Sequence, residues 1–318
     1  MNKQTENRDI TIALCSHLST GEGIRPLEPG EWTQLAEKLL AAHRQPADLP
    51  GMTEEEWDSL LGIRKEEAER FRRLLGRMPS LAFERERLHA AGIDILTRAD
   101  ERYPAALKRK LRQGCPPLFY CAGDLSLLDA PAVAIVGSRN ASKEDLSFTE
   151  NTAKRLTDAG YTIASGGAKG VDQTAAETAF RCGGSSVQFL ADSLMRKIRS
   201  PQTVQAIRSG RMLLLSAAKP DAGFNVGMAM QRNRYIYAQS FAAIVVRCDL
   251  QKGGTWAGAA EDLRHKWAKL YCREDDRLAG NRALLRMGAL PFREGTDLSA
   301  TEQDAPQGDA VQPSLFDI

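Results

Sequence analysis

Several short segments combine glycine, hydroxyl and cationic residues in the way an anion site requires. Gly137-Ser138-Arg139 follows the apolar run AVAIV (132–136). Glycine lets a partner come close to the backbone, serine offers a hydroxyl, and arginine can fork onto a phosphate. Ser165-Gly166-Gly167-Ala168-Lys169-Gly170-Val171-Asp172 follows a second apolar run, YTIA (161–164). A small Gly-rich loop between a strand and a helix points amides outward where the helix N-terminus favours an anion, and Lys169 adds a full charge. Asp172 falls in the first helical turn. A carboxylate there would repel phosphate, so its expected role is to cap the helix or orient the loop. Gln231-Arg232-Asn233-Arg234 carries two guanidinium groups within a helical stretch, and Gly253-Gly254-Thr255 is a further loop of phosphate-cradling type. GxGxxG is absent from the first two loops, which argues against an ordinary nicotinamide enzyme. GxxxxGK[ST] is absent as well, which argues against a P-loop ATPase.

These loops need elements to hold them. AVAIV, YTIA, SVQFL (186–190), MLLL (212–215) and FAAIVV (241–246) are short, apolar and rich in β-branched residues, and each is followed by a loop and a helical stretch. Strands alternating with helices imply an α/β fold with a doubly wound, mostly parallel, Rossmann-like sheet covered on both faces. Functional loops in such sheets lie at the carboxyl ends of strands. Those ends are Gly137 to Arg139, Ser165 to Gly170, Ser216 onward and Arg247 to Thr255. The first ninety residues read instead as a small all-helical domain. Trp32, Leu35, Ala36, Leu39 and Leu40 share one helical face, and Thr53 with Glu56 forms a capping box. Two short helices about Gly62 resemble a helix-hairpin-helix or SAM-like element; a plain αα-hairpin fits the same residues. The expected organisation is a helical domain over 1–90, the Rossmann-like domain over 91–292 and an acidic, disordered tail over 293–318.

The composition narrows the class. The 318 residues are 42% hydrophobic and carry a formal net charge of +2, enough apolar content for a true core. Residues 293–318 hold one arginine against six carboxylates, a net −5 that leaves +7 on the remainder. A basic body admits a polyanionic partner such as nucleic acid. Six scattered cysteines form no CxxC pair and no His cluster accompanies them, so no metal, cofactor or redox motif is expected. No run reaches membrane-spanning length, and the N-terminus has no leader pattern. A cytoplasmic protein is the expectation.

AIVGSRNAS, ASGGAKGVDQTAAETA, QRNRYIYAQSFAAIVV and NRALLRMGA, in that order, resemble the DprA/Smf family (DNA processing protein A). Residues 92–124 are similar to that family's lead-in, and the resemblance covers 92–292. It implies a non-enzymatic, single-stranded DNA-binding homodimer that processes or protects incoming DNA and delivers it to the RecA recombinase. It also implies that Gly137, Ser138, Arg139, Gly166, Gly167, Lys169, Arg232, Asn233 and Arg234 contact the DNA backbone. Lys169 stands where the family has arginine, and the basic run 194–199 replaces a Tyr-Pro segment. Gly253-Gly254-Thr255-Trp256 replaces an SGSL-type loop, and the family's frequent C-terminal winged helix is not expected here.

Two other readings use the same loops. Gly253-Gly254-Thr255 resembles part of the Lonely-guy signature of nucleoside-monophosphate phosphoribohydrolases. That chemistry needs a carboxylate at fixed offset, and the first one here is Glu261, so binding is preferred to hydrolysis. A nucleotide sensor would use one pocket, whereas DNA needs a continuing groove. At the far C-terminus, Gln312, Leu315 and Phe316 resemble the QLxLF-type peptide that docks on the DNA polymerase sliding clamp, with Pro313 in place of leucine. The alternative is that Leu315 and Phe316 fold back on the protein's own surface.

Overall fold

A computed structural model describes residues 2–20, 23–293 and 295–298, and the chain divides into two compact units. One comprises the residues up to Tyr103 with Leu111–Cys121; the other comprises Pro104–Lys110 and the described chain from Ala122 onward. Gln312, Leu315 and Phe316 lie outside the described residues.

Among the described residues the first unit has the α-helices α1 (Lys3–Cys15), α2 (Pro29–Ala41), α3 (Glu54–Leu61), α4 (Lys65–Leu75) and α5 (Met78–Ala90). In α2 the residues spaced for one face, Trp32, Leu35, Ala36 and Leu39, are the buried ones. Thr53 and Glu56 form the capping box that opens α3, and Gly62 closes that helix in the left-handed conformation at φ 54°. Arg77 is buried without a carboxylate; its guanidinium donates to the carbonyls of Leu18 at 2.6 Å, Ser16 at 2.7 Å and Ala13. It therefore satisfies carbonyls at and beyond the end of α1 that no helix turn can reach. The unit also contains the antiparallel pair of β1 (Asp94–Thr97) and β2 (Leu118–Gly123), registered Asp94 to Cys121 and Thr97 to Leu118.

The second unit is a parallel sheet of β3 (Ala132–Val136), β4 (Thr162–Ser165), β5 (Ser186–Phe189), β6 (Met212–Ser216), β7 (Ala242–Val245), β8 (Lys269–Arg273) and β9 (Leu290–Phe292). Its helices are α6 (Ala105–Leu111), α7 (Lys143–Asp158), α8 (Val171–Arg181), α9 (Leu194–Lys197), α10 (Pro201–Arg208), α11 (Val226–Gln239), α12 (Gly253–His265) and α13 (Ala279–Arg286). The strand order is β6-β5-β4-β3-β7-β8-β9. The chain winds outward from β3 through β4, β5 and β6, then returns to pair β7 with β3 and continues to β9. This is the doubly wound arrangement, and its switch point lies between β3 and β7.

Strands β3 to β7 are buried along their whole length, as their unbroken apolar runs require when both faces are covered. Val133, Ile135 and Ile163 pack with Ala153 and Leu156 of α7 and Val171, Ala175 and Ala179 of α8. On α11, Tyr235 meets Phe189 of β5 with ring centroids 6.1 Å apart. Val133, Ile135, Ile163, Leu156 and Val171 each contribute about 1.5–3 kcal/mol on burial. Asn281, the asparagine of NRALLRMGA, is fully buried and staples the ends of β7 and β8. Its Nδ2 donates to the carbonyls of Val246 and Arg273, both at 3.0 Å, and its Oδ1 accepts from Cys248 N at 3.0 Å. No described helix is long and apolar enough to cross a membrane.

Candidate nucleic-acid interface

The loops after β3 and β7 flank the switch point and are bonded to one another. Ser138 N donates to Arg247 O at 3.0 Å, and Thr255 Oγ1 at the start of α12 donates to Gly137 O at 3.0 Å. The loop after β4 packs on the loop after β3. Gly170, at φ +87°, has no room for a side chain, since a Cβ would lie 2.6 Å from Ser138 O. Gly170 is also the N-cap of α8 and supplies no side chain to its amides; the loop backbone caps them instead, Gln173 N donating to Ala168 O at 2.9 Å and Val171 N to Ser138 O at 3.5 Å. Arg139 and Lys169 are exposed on these two loops. The Arg139 guanidinium lies over the Phe224 ring, 4.9 Å from its centroid, and Phe224 is 53% exposed.

Arg232 sits differently. It is 7% exposed and faces Asp172, itself 6% exposed, with Nη1 to Oδ2 at 3.5 Å. The Asp172 Oδ2 also accepts from Gly166 N at 3.0 Å, and the Gly137 amide supports the same carboxylate. Burial pushes the Asp172 carboxyl up and the Arg232 guanidinium down, while each partner's charge works the other way. Asp172 thus orients both Gly-rich loops and neutralises the cation behind them. Gly166 is needed here because a Cβ would fall 1.2 Å from Arg232 Nη1. Asn233 Nδ2 donates to Gly254 O at 3.0 Å, tying α11 to the start of α12. Arg234 pairs with Glu261 at 2.8 Å. Asp172 and Glu261 are therefore both committed to arginines.

The structure brings Gly137, Ser138, Arg139, Gly166, Gly167 and Lys169 together at the carboxyl edge, with Arg232 beneath them and Asn233 beside the α12 loop. Arg234 turns to α12. Two features were not singled out from the sequence. Phe224 is one; a lone aromatic in the small, polar stretch KPDAGFNVG after β6 is the signal that points to it. The other is the ion network behind the β3 loop. Asp145 accepts from Arg247 at 3.0 Å and from Arg273 at 2.8 Å. Burial raises the Asp145 carboxyl, but the hydrogen bonds from Ser142 and the charge of Arg247 outweigh it and hold the group below its ordinary value. Since Arg247 O carries Ser138 N, this network braces the loop. Among the described residues no group of His, Cys, Asp and Glu is placed to hold a metal ion.

Sheet and loops together define a Rossmann-like α/β protein with the exposed cations Arg139 and Lys169 at its switch-point crevice. The chain belongs to the DNA recombination-mediator protein A family, whose model matches residues 94–302, and the family expected from the sequence is the one found. DNA processing protein DprA of Streptococcus pneumoniae is 29% identical over 188 residues, 58% of this chain and 66% of that protein. Protein Smf of Synechocystis is 29% identical over 144 residues, 43% of this chain and 36% of that protein. The chain therefore spans just under two thirds of the one relative and about a third of the other. The solved structure of pneumococcal DprA shares the fold, with a TM-score of 0.64 at 20% identity over 84% of this chain and 95% of that one. DNA processing protein A of Helicobacter pylori, a structure concerned with its single-stranded DNA binding mode, gives 0.53 at 28% identity over 62% and 89%.

Proposed function

We propose that this family member binds single-stranded DNA at the switch-point crevice and acts without catalysing a reaction on it. The observation that carries the reading is the placement of Arg139 and Lys169 on abutting loops, with the half-exposed ring of Phe224 beside Arg139. Cations grip phosphate without reading bases, and an exposed ring stacks on an unpaired base of any identity. A duplex offers the phosphates but keeps its bases stacked inside. The Helicobacter pylori relative and its single-stranded DNA binding support the same reading. In this account Gly137, Ser138, Gly166 and Gly167 shape the loops, Arg139 and Lys169 meet phosphate, Arg232 and Asn233 position the loops, and Arg234 stands at the rim.

The assembly part of the reading follows from the family. A homodimer doubles the sites on one strand and raises effective concentration, and delivery of the bound strand to RecA is its use. Light scattering at micromolar concentration is expected to show a dimer; a monomer alone contradicts it. The C-terminal peptide with Gln312, Leu315 and Phe316 is proposed to dock on the sliding clamp, and the double change Leu315→Ala, Phe316→Ala should abolish peptide capture by purified clamp. For DNA binding itself, fluorescence anisotropy with an oligothymidine and with a duplex of equal length decides. The oligothymidine should bind at least about tenfold tighter; equal or tighter duplex binding overturns the proposal.

A further inference from the structure

Strands β3 to β9 run parallel, so the end opposite the DNA loops is the amino end of the sheet. At the starts of β7, β8 and β9 this end opens into a groove of about 700 Å³. Its apolar wall is Phe241, Leu263, Trp267, Leu270, Met287 and Leu290. Met287 is 49% exposed and Leu290 39%, so the wall reaches solvent at the rim. An apolar surface of that kind is a place for something to dock.

The wall is preorganised. The Trp267 ring stacks on His265 with centroids 4.7 Å apart, and its Nε1 donates to Lys110 O at 3.1 Å. Lys266 and Lys269 stand exposed at the rim. The one acidic residue of the lining, Asp262, is wholly enclosed. The groove therefore offers an apolar floor with positive charge beside it and no accessible carboxylate.

The chain carries a matching segment and delivers it to this place. After β9 it turns back, with Thr296 N donating to Arg293 O at 3.1 Å. Leu298 then reaches the amino end of the sheet, where its carbonyl accepts from the Tyr161 hydroxyl at 3.3 Å. The Tyr161 ring lies 5.3 Å from that of Phe241, in the groove wall. Leu298 thus ends one ring away from the groove. Residues 299–318 carry the carboxylates Glu302, Asp304, Asp309 and Asp317 and no lysine, arginine or histidine. Their bulky apolar residues are Val311, Leu315, Phe316 and Ile318. Leu315 stands 17 residues after Leu298, and a coil of that length spans about 20–25 Å. That reach returns Leu315 and Phe316 to the groove at an effective concentration on the order of millimolar.

We infer that residues 311–318 dock in cis in this groove, Leu315 and Phe316 against Trp267, Met287 and Leu290, with the acids beside Lys266 and Lys269. The segment is held by its own chain until a partner with a better pocket takes the same two side chains. This docking is separate from the DNA loops, and it stands whether or not the sliding clamp is that partner.

A bimane dye on Ser314→Cys tests the docking, because tryptophan quenches that dye on contact. The full chain also carries Cys182→Ser, since the other native cysteines are buried. Emission should be at least about twofold lower than in the same chain with Leu315→Ala, Phe316→Ala, and independent of protein concentration. Trp267→Phe should restore it. Lys266→Glu with Lys269→Glu should restore it in part while leaving oligothymidine binding intact, and Arg139→Glu with Lys169→Glu should leave the quenching unchanged. In trans, a labelled peptide of residues 307–318 should bind the Leu315→Ala, Phe316→Ala chain with a submillimolar constant. It should bind the parent, whose groove is filled, at least about tenfold more weakly. The inference is overturned if the anchor changes leave emission where it was, or if the peptide binds parent and variant alike or neither at millimolar concentration. Quenching that grows with protein concentration gives the groove to a second copy, and quenching lost with the Arg139 and Lys169 changes puts the segment on the DNA loops; either result overturns it too.

Discussion

Arg232 and Arg139 look alike in the sequence, each an arginine beside small or polar residues, yet they do different work. The RNR element suggests that both of its arginines reach DNA, but Arg232 is enclosed with Asp172 and Gly166. That enclosure depends on three chain segments converging, which no local pattern records. Arg232→Glu would set two carboxylates in one buried site and is expected to unfold the protein rather than to report on binding. Gly166→Ala should act in the same place. The added methyl collides with the guanidinium and should lower stability by about 1–3 kcal/mol, read as a reduced urea midpoint. Phe224→Ala, on an exposed ring, should leave that midpoint alone. It should cost about 1–3 kcal/mol in oligothymidine affinity, with no change for duplex; an unchanged oligothymidine constant would remove the ring from the site.

Among the elements, β3 to β7 were the legible strands. AVAIV, YTIA, SVQFL, MLLL and FAAIVV all became strands because continuous apolar runs have no other economical burial than a covered sheet. β8 and β9 were not read: KLYCR carries a charge at each end, and Leu290–Phe292 is a three-residue edge strand with a central proline. The β1–β2 pair escaped for a related reason, since four paired residues on each strand give too few alternations to count. Helix ends were legible where a side chain marks them, as at Thr53 and Gly62, but the use of Arg77 to close α1 was not. Arg77→Ala strips several buried carbonyls of their donor and should cost at least about 2 kcal/mol in chemical denaturation. The network joining α7, β7 and β8 gives a pH dependence of definite sign. Asp275, hydrogen-bonded by Arg277, falls to about 2, and Asp145 is also lowered. Their ionised forms favour the folded state, so that stability is complete above the ordinary carboxylate pKa and lost as pH falls towards about 2. Asp145→Asn should reduce that acid loss. Asp262 works in the opposite sense: raised from 3.8 to about 7, it binds its proton more tightly when folded, and stability declines as pH rises through that window. Asp262→Asn should flatten the decline.

For the whole molecule, the family match covers residues 94–302, so α1 to α5 lie before it, with α1 and α5 packed on β1 inside the matched segment. The fold class, the central strands themselves and the loops at their carboxyl ends were all readable, because each is written in local runs of residues. What the loops do to one another was not: Asp172 drawing in Gly137 and Gly166, Asn233 reaching Gly254, and Phe224 coming under Arg139 are meetings across the sheet edge. The cavity at the amino ends was invisible for the same reason, its lining coming from α6, α12 and the starts of three strands. If the exposed cations at the switch point grip the phosphates of an unpaired strand, their loss must show in the salt dependence of oligothymidine binding, compared between the parent chain and Arg139→Glu, Lys169→Glu. Each lost phosphate contact should lower the slope of log K against log salt by about 0.7. Binding should weaken, with a slope shallower by about 1.4, in a variant that keeps its folded stability; a folded variant with the parent's affinity and the parent's slope contradicts phosphate contact by these two cations.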